Sequence, residues 1–177
     1  AATKTFANQV YTLMKLAGCQ NIEEIPQALE EEMNYMNTSG MVDAGEFHKE
    51  EHEDIYIIGN ASTYPIAREI ALKLKEIPYI HAEGMMAGEL KHGTLALIEE
   101  GTPVICLDDG TGNIESTIEE VEARGARTKT LRNKDGNSEE FVFQSTIYGF
   151  FLALHWAHKK DLPVDRPRNL AKSVTVK

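Results

Sequence analysis

Apolar residues recur along this chain with two different periods, and their alternation predicts its architecture. Phe6, Val10, Leu13, Met14 and Ala17 fall at helical spacing with Gly18 as a stop, so Thr3–Ala17 reads as a helix. A second helical pattern runs from Ile22 to about Asn37, acidic on its outer face, and Asn37-Thr38-Ser39-Gly40 breaks it. Ile55–Gly59 is a short, near-continuous apolar run, as expected of a strand buried on both faces. From Tyr64 to Glu76 the helical period returns. Ile66, Ala67, Ile70, Ala71, Leu74 and Ile77 share one apolar arc, Thr63 stands as N-cap, and Pro65 sits in the first turn, where a missing N–H costs nothing.

Pro78 stops that helix, and Tyr79–Glu83 reads as a short strand with His81 and Glu83 on one face. Gly84 and Gly88 bracket a turn. Val104–Leu107 is another buried strand, closed by Asp108-Asp109-Gly110, and Asn113–Arg124 is an amphipathic helix ending at Gly125. Ala126–Leu131 is a further strand, Phe141–Phe143 a last, edge-like one, and Gln144 to about Lys160 a long apolar helix. Strands alternating with helices predict an α/β sandwich with a parallel sheet. Asp161–Lys177 has no useful periodicity and by itself reads as a frayed terminus.

Composition narrows the function classes. The 177 residues suffice for one domain with a proper core, and 42% hydrophobic with 26% charged residues is ordinary for a globular protein. A formal net charge of −10 argues against nucleic acid as a partner, because a phosphate-backbone binder needs a basic face. It leaves room for a small phosphorylated substrate, which needs only a local cluster of donors. Cys19 and Cys106 form no CxxC motif, which fits a reducing, cytoplasmic setting, and Cys106 lies in an apolar run as a small core residue. No stretch approaches the ~18 consecutive apolar residues of a membrane span, and no signal peptide is evident. The start at Ala1-Ala2-Thr3-Lys4, without methionine, suggests a processed chain or an excised fragment.

Candidate chemistry concentrates in the Tyr64–Glu76 helix. Glu69, Lys73 and Glu76 stand at i, i+4 and i+7, one narrow stripe along the edge of the apolar arc. As a surface pair this is worth about 0.2–0.5 kcal/mol. As a row at the rim of a pocket it offers a general base and a cation for an anionic substrate. Elsewhere the signals are weaker. His48 and His52 are an i, i+4 pair, but Lys49 breaks the HExxH pattern and no third ligand is near, so a solvated helix face is the better account. His155 and His158 suit a core or subunit contact better than a metal. Gly59-Asn60-Ala61-Ser62-Thr63 opens a helix and is a natural anion site, yet its single glycine excludes the dinucleotide fingerprint, so neither NAD nor FAD is expected. Asp108-Asp109-Gly110 could hold magnesium at a strand end or be a plain turn.

The wording of the middle of the chain changes the weight of these signals. YPIAREIALKLKEIPYIHAEGMMAGELKHGTLALIEEGTPVI resembles the second sugar-isomerase (SIS) domain of the glutamine–fructose-6-phosphate aminotransferase family, also called glucosamine-6-phosphate synthase. Thr94 departs from it, where proline is usual. The ending D-x-PRNLAKSVTV resembles that family's C-terminal tail, and AATKTF stands in the place of its V-A-S-T-K-A-F linker, with Ala2 for the usual serine. The likeness thus runs from Thr3 to Lys177.

The resemblance implies a single SIS domain over 1–177, tail 161–177 included: a three-layer α/β/α sandwich with a five-stranded parallel sheet. It implies that Glu76, His92 and Lys172 are catalytic, that Lys73, Glu69 and Ala171 bind substrate, and that no metal or organic cofactor is used. Implied partners are fructose 6-phosphate and glucosamine 6-phosphate, a first SIS half, a glutaminase domain and a second copy in a homodimer, with no nucleic acid and no membrane. The first half's S-x-S-G-E-T-like phosphate loop has no substitute in Ser39-Gly40. Two other readings stand beside this one. A stand-alone SIS module could bind a sugar phosphate and regulate a partner, and a simple aldose–ketose isomerase could act without ammonia.

Overall fold

The structure, a computed structural model, describes residues 2–20, 22–39, 54–111, 114–134 and 136–169. Two helices, α1 (Thr3–Leu16) and α2 (Ile25–Ser39), precede the strand β1 (Asp54–Gly59). Then come α3 (Tyr64–Glu76), β2 (His81–Met86), two short 3-10 segments (Ala87–His92 and Thr94–Leu97) and β3 (Pro103–Asp108). The fold continues through α4 (Glu115–Glu122), β4 (Arg127–Arg132) and α5 (Ser138–Lys159).

Among the described residues the sheet has four strands in the order β2-β1-β3-β4, all neighbours parallel. The chain runs outward one way through β1-α3-β2 and the other way through β3-α4-β4. Right-handed crossovers in opposite directions put their helices on opposite faces, and the core follows that division. Ile55, Ile57, Ile105 and Leu107 pack with α3 and α5. Tyr56, Ile58, Val104 and Cys106 pack with α4 and with Ala87 and Leu90 of the first 3-10 segment. Alternate residues of each central strand therefore serve different layers, and both are apolar because neither face meets water. A third cluster seats Ile22 and Ile25 against Phe143 of α5, and Phe6 of α1 meets Phe150 edge-on with ring centroids 6.4 Å apart.

Phe141–Phe143 and Gly84 depart from the sequence reading, and β2 runs over His81–Met86 rather than from Tyr79. Phe141–Phe143 is not an edge strand but lies within α5. Asn137 caps that helix, its side chain accepting from the Glu140 N–H at 3.1 Å, with Glu139 and Glu140 in the first turn. This local cap decides a segment whose three apolar residues suit either period. Gly84 is likewise no turn residue: it pairs with Ile57 inside β2. A Cβ there would stand 2.4 Å from the Ala67 carbonyl oxygen and 2.5 Å from Arg68 Cα, so glycine is what allows β2 to lie against α3.

Candidate active site

The apolar arc fixes α3. Ile66, Ala67, Ile70, Ala71 and Leu74 are all buried, and burying each large side chain contributes about 1.5–3 kcal/mol. That total outweighs anything a salt bridge supplies, so the helix is placed by its apolar face and carries the ionic row with it. Thr63 does not cap α3 with its side chain. Its hydroxyl instead accepts from the Asn60 N–H (2.9 Å) and lies 2.8 Å from the Asn60 carbonyl and 3.1 Å from that of Leu107, stitching the β1–α3 turn to the end of β3.

The row itself is not a surface pair. Lys73 is 3% exposed, with its Nζ 2.6 Å from Glu76 Oε2 and 3.3 Å from Glu69 Oε1. The carboxylates are 12% (Glu69) and 24% (Glu76) exposed, so the ammonium is sealed beneath two acids that keep some contact with solvent. Burial raises the Glu69 carboxyl above its ordinary value; Lys73 opposes that rise and the Glu76 charge adds to it. Glu76 lines a cavity of about 520 Å³ together with Lys75, Tyr79, His81, Arg168 and Asn169. Glu69 lines a second one of about 390 Å³ with Arg68, Lys75 and Glu83. The arrangement can accept a proton, hold it near a fixed cation and present it to a small polar molecule.

The remaining candidates are distributed as follows. His92 is exposed at the end of the first 3-10 segment, on the sheet face opposite α3. Lys91 donates to Glu120 of α4 at 2.6 Å and Leu90 is fully buried, which hold that segment to the α4 layer. Glu69, Lys73 and Glu76 are therefore brought together, and His92 belongs to the other side of the same chain. Lys172 and Ala171 lie outside the described residues, as do His48 and His52.

The Asp108-Asp109 pair behaves as a turn. Asp109 accepts from the Thr111 N–H (3.0 Å), the Thr111 hydroxyl (2.6 Å) and the Ser62 hydroxyl (2.8 Å), and these bonds hold its carboxyl below the usual range. Asp108 receives Arg132 at 2.6 Å. A carboxylate of the chain thus already occupies the turn before α3 that the sequence offered as an anion site. Among the described residues no group of three His, Cys, Asp or Glu side chains could hold a metal.

Sequence reasoning missed Tyr79 and Arg168. The Arg168 N–H donates to the Tyr79 hydroxyl oxygen at 2.8 Å, and its guanidinium lies 4.2 Å from the Tyr79 ring centroid. The available signal was the Pro78-Tyr79 break itself, which read as the start of a strand.

Residues 46–139 match the SIS domain family. The chain belongs to that family. At 37% identity over 210 aligned residues, 99% of this chain is similar to the glutamine–fructose-6-phosphate aminotransferase (isomerizing) of Thermococcus kodakarensis, covering 34% of it. The same-named protein of Oceanobacillus iheyensis is 46% identical over 136 residues, 68% of this chain and 23% of that one. The chain thus spans about a quarter to a third of the length of these relatives. Among solved structures, the C-terminal domain of glucosamine-fructose-6-phosphate aminotransferase from Francisella tularensis superposes with a TM-score of 0.71 at 28% identity, over 84% of this chain and 47% of that one. A glucosamine-6-phosphate deaminase from Thermotoga maritima reaches 0.65 at 22% identity, over 92% and 52%, and shares the fold.

Proposed function

We propose that this SIS domain is the C-terminal half of the isomerase module of a glutamine–fructose-6-phosphate aminotransferase, acting in amino-sugar synthesis. The observation that carries this reading is the Glu69–Lys73–Glu76 row, buried at its centre and open to a cavity at Glu76. Turning fructose 6-phosphate into glucosamine 6-phosphate requires ring opening, replacement of the C2 carbonyl oxygen by nitrogen, and a proton moved between C1 and C2. In this reading Lys172 condenses with the open-chain ketose carbonyl, releasing water and forming an imine. Ammonia from glutamine then displaces the lysine amine, and Glu76 takes the proton from C1 and returns it at C2. Lys73 balances the charge on Glu76, Glu69 holds Lys73, and Ala171 lines the sugar.

His92 assists ring opening. Its place on the α4 layer favours service to the site of a second copy over that of its own chain. The sugar phosphate, glutaminase domain and first SIS half are the proposed partners. The substrate supplies its own carbonyl, so the scheme calls for no cofactor.

Replacing Glu76 with glutamine in the full protein tests the assignment. Turnover should fall at least about a hundredfold, the scale of a lost general base, while the affinity for fructose 6-phosphate stays within about twofold. Unchanged turnover sinks the assignment. The 177-residue chain by itself, which carries no S-x-S-G-E-T-like loop, should form no glucosamine 6-phosphate from glutamine.

A further inference from the structure

We infer that Tyr79 is a positioning residue for the C-terminal tail: its ring and hydroxyl grip the chain at Arg168, so that the tail leaves the fold beside Glu76. The inference rests on the reading above, which gives Lys172 a covalent role, but its physical basis lies entirely in residues 72–80 and 160–169.

Tyr79 makes two contacts with a residue 89 positions away. Its hydroxyl accepts the Arg168 backbone N–H at 2.8 Å, and its ring lies under the Arg168 guanidinium at 4.2 Å. A backbone bond and a side-chain stack to the same residue fix both where the chain passes and which way it faces. The platform is itself held from two sides. The Ile80 N–H donates to the Leu74 carbonyl of α3 at 2.9 Å, and Lys160, at the end of α5, donates to the Pro78 carbonyl at 2.7 Å. Between them Tyr79 adopts φ +56°, the left-handed region that a large aromatic residue enters only when its surroundings dictate it. A strand beginning at Tyr79 would have avoided that cost; β2 begins instead at His81.

The grip stands at the candidate active site. Tyr79, Arg168 and Asn169 share with Glu76 and Lys75 the cavity of about 520 Å³. Upstream of it, Leu162 and Val164 pack on the core, so the chain is anchored as far as Arg168. Asn169 has φ +59°, a turn made immediately after the grip. Only two residues of chain, Leu170 and Ala171, stand between Asn169 and Lys172, and the three steps span at most about 11 Å. Fixing Arg168 therefore limits the volume that the lysine amine can sample and raises its concentration near the cavity, as tethering of a reactive group does.

The test uses the full protein that carries this chain, with fructose 6-phosphate, sodium borohydride and peptide mass spectrometry of Lys172. In Tyr79→Ala and Arg168→Ala the rate of adduct formation at saturating sugar should fall about tenfold, the sugar dissociation constant staying within about twofold. Tyr79→Phe, which keeps the ring and loses the acceptor, should lose less, and Arg168→Lys, which keeps a cation over the ring, should retain most of the rate. Arg168 is exposed, so its variants also answer for any unfolding of Tyr79→Ala. Wild-type trapping rates in both alanine variants, or trapping and sugar affinity falling in proportion, overturn the inference. If the wild-type protein yields no Lys172 adduct, it is the imine route that fails. The grip is then judged by trypsin without sugar: cleavage after Arg168 should be about tenfold faster in Tyr79→Ala than in wild type, and equal cleavage overturns it.

Discussion

Replacing Lys73 with methionine removes the ammonium while keeping an unbranched side chain of similar length. In the native protein that ammonium is 3% exposed and holds two carboxylates at 2.6 and 3.3 Å. Without it, Glu69 and Glu76 remain as two acids in a mostly dry place with no cation between them. Removing one partner of a buried charged group costs about 3–5 kcal/mol, and the partial exposure of Glu76 puts the expectation near the lower end, about 3 kcal/mol. For a chain of this size that is a fall of roughly 6–12 °C in melting temperature near pH 7.5.

The loss must depend on pH. Burial already raises the Glu69 carboxyl, and Lys73 is the chief opposing influence. Removing Lys73 lets it rise further. A carboxyl whose folded pKa lies above its unfolded value favours the fold below the unfolded value, and that contribution disappears as pH climbs through the folded one. The variant should therefore approach wild-type stability near pH 4.5 and fall progressively behind above it. Circular-dichroism melts and urea titrations at about pH 4.5 and 7.5 measure this, and Glu69→Gln added to the variant should recover part of the loss at the higher pH. An equal deficit at both pH values, or one below about 1 kcal/mol at pH 7.5 as for an exposed pair, would refute the reasoning.

Gly84→Ala places a methyl group 2.4 Å from the Ala67 carbonyl oxygen and 2.5 Å from Arg68 Cα. Both are backbone atoms, so β2 must move off α3, and denaturant titration should show a loss of about 3 kcal/mol or no folded protein; a loss under about 1 kcal/mol would contradict the close approach. Cys106 is 0% exposed and burial pushes its thiol up to about 12, so a colorimetric thiol reagent near pH 8 should find one reactive cysteine in the native chain and two in denaturant. Two rapid native thiols would refute that. If His92 serves a second copy, mixing inactive His92→Ala and Glu76→Gln proteins should restore roughly a quarter of wild-type activity, since half of the dimers would be mixed and each would hold one intact site. No recovery after subunit exchange would place His92 and Glu76 in one chain's site.

Much of this molecule was legible because its signals are local or periodic. The apolar runs of β1 and β3 and the arc of α3 are patterns that burial alone imposes, and all three stand where the periods put them. The stripe of Glu69, Lys73 and Glu76 was equally visible as spacing. What spacing withheld was depth. The same i, i+4, i+7 row fits a wet rim or a sealed one, and only the finished fold shows Lys73 to be 3% exposed. Phe141–Phe143 misled because three residues are too few to carry a period, while the Asn137–Glu140 cap that settles the matter is a side-chain contact. Of the five parallel strands that the resemblance implies, four stand among the described residues. Tyr79 carried only the Pro78 break as a local signal and Arg168 none, since their meeting across 89 positions is a product of the finished fold.

The charge balance of the row bears on what it can do. Two carboxylates and one ammonium leave one negative charge uncompensated when all three are ionised, and the ammonium at their centre is buried. Such a charge is tolerated where water still reaches it and becomes costly where water is excluded. Glu69 registers that pressure as a raised pKa even with its pocket open. A sugar filling the adjoining cavity would strip water from Glu76 as well, and the row would then hold a surplus charge with little solvent to spread it. Taking up one proton relieves the surplus; giving it back restores it. Lys73 keeps either excursion small by staying within 3.3 Å of both acids. A lone buried glutamate would keep its proton, and an exposed one would lack the drive to take it. In the proposed reading the row, 12% exposed at Glu69 and 24% at Glu76, lies between those limits of burial, where one proton could pass between adjacent carbons in both directions.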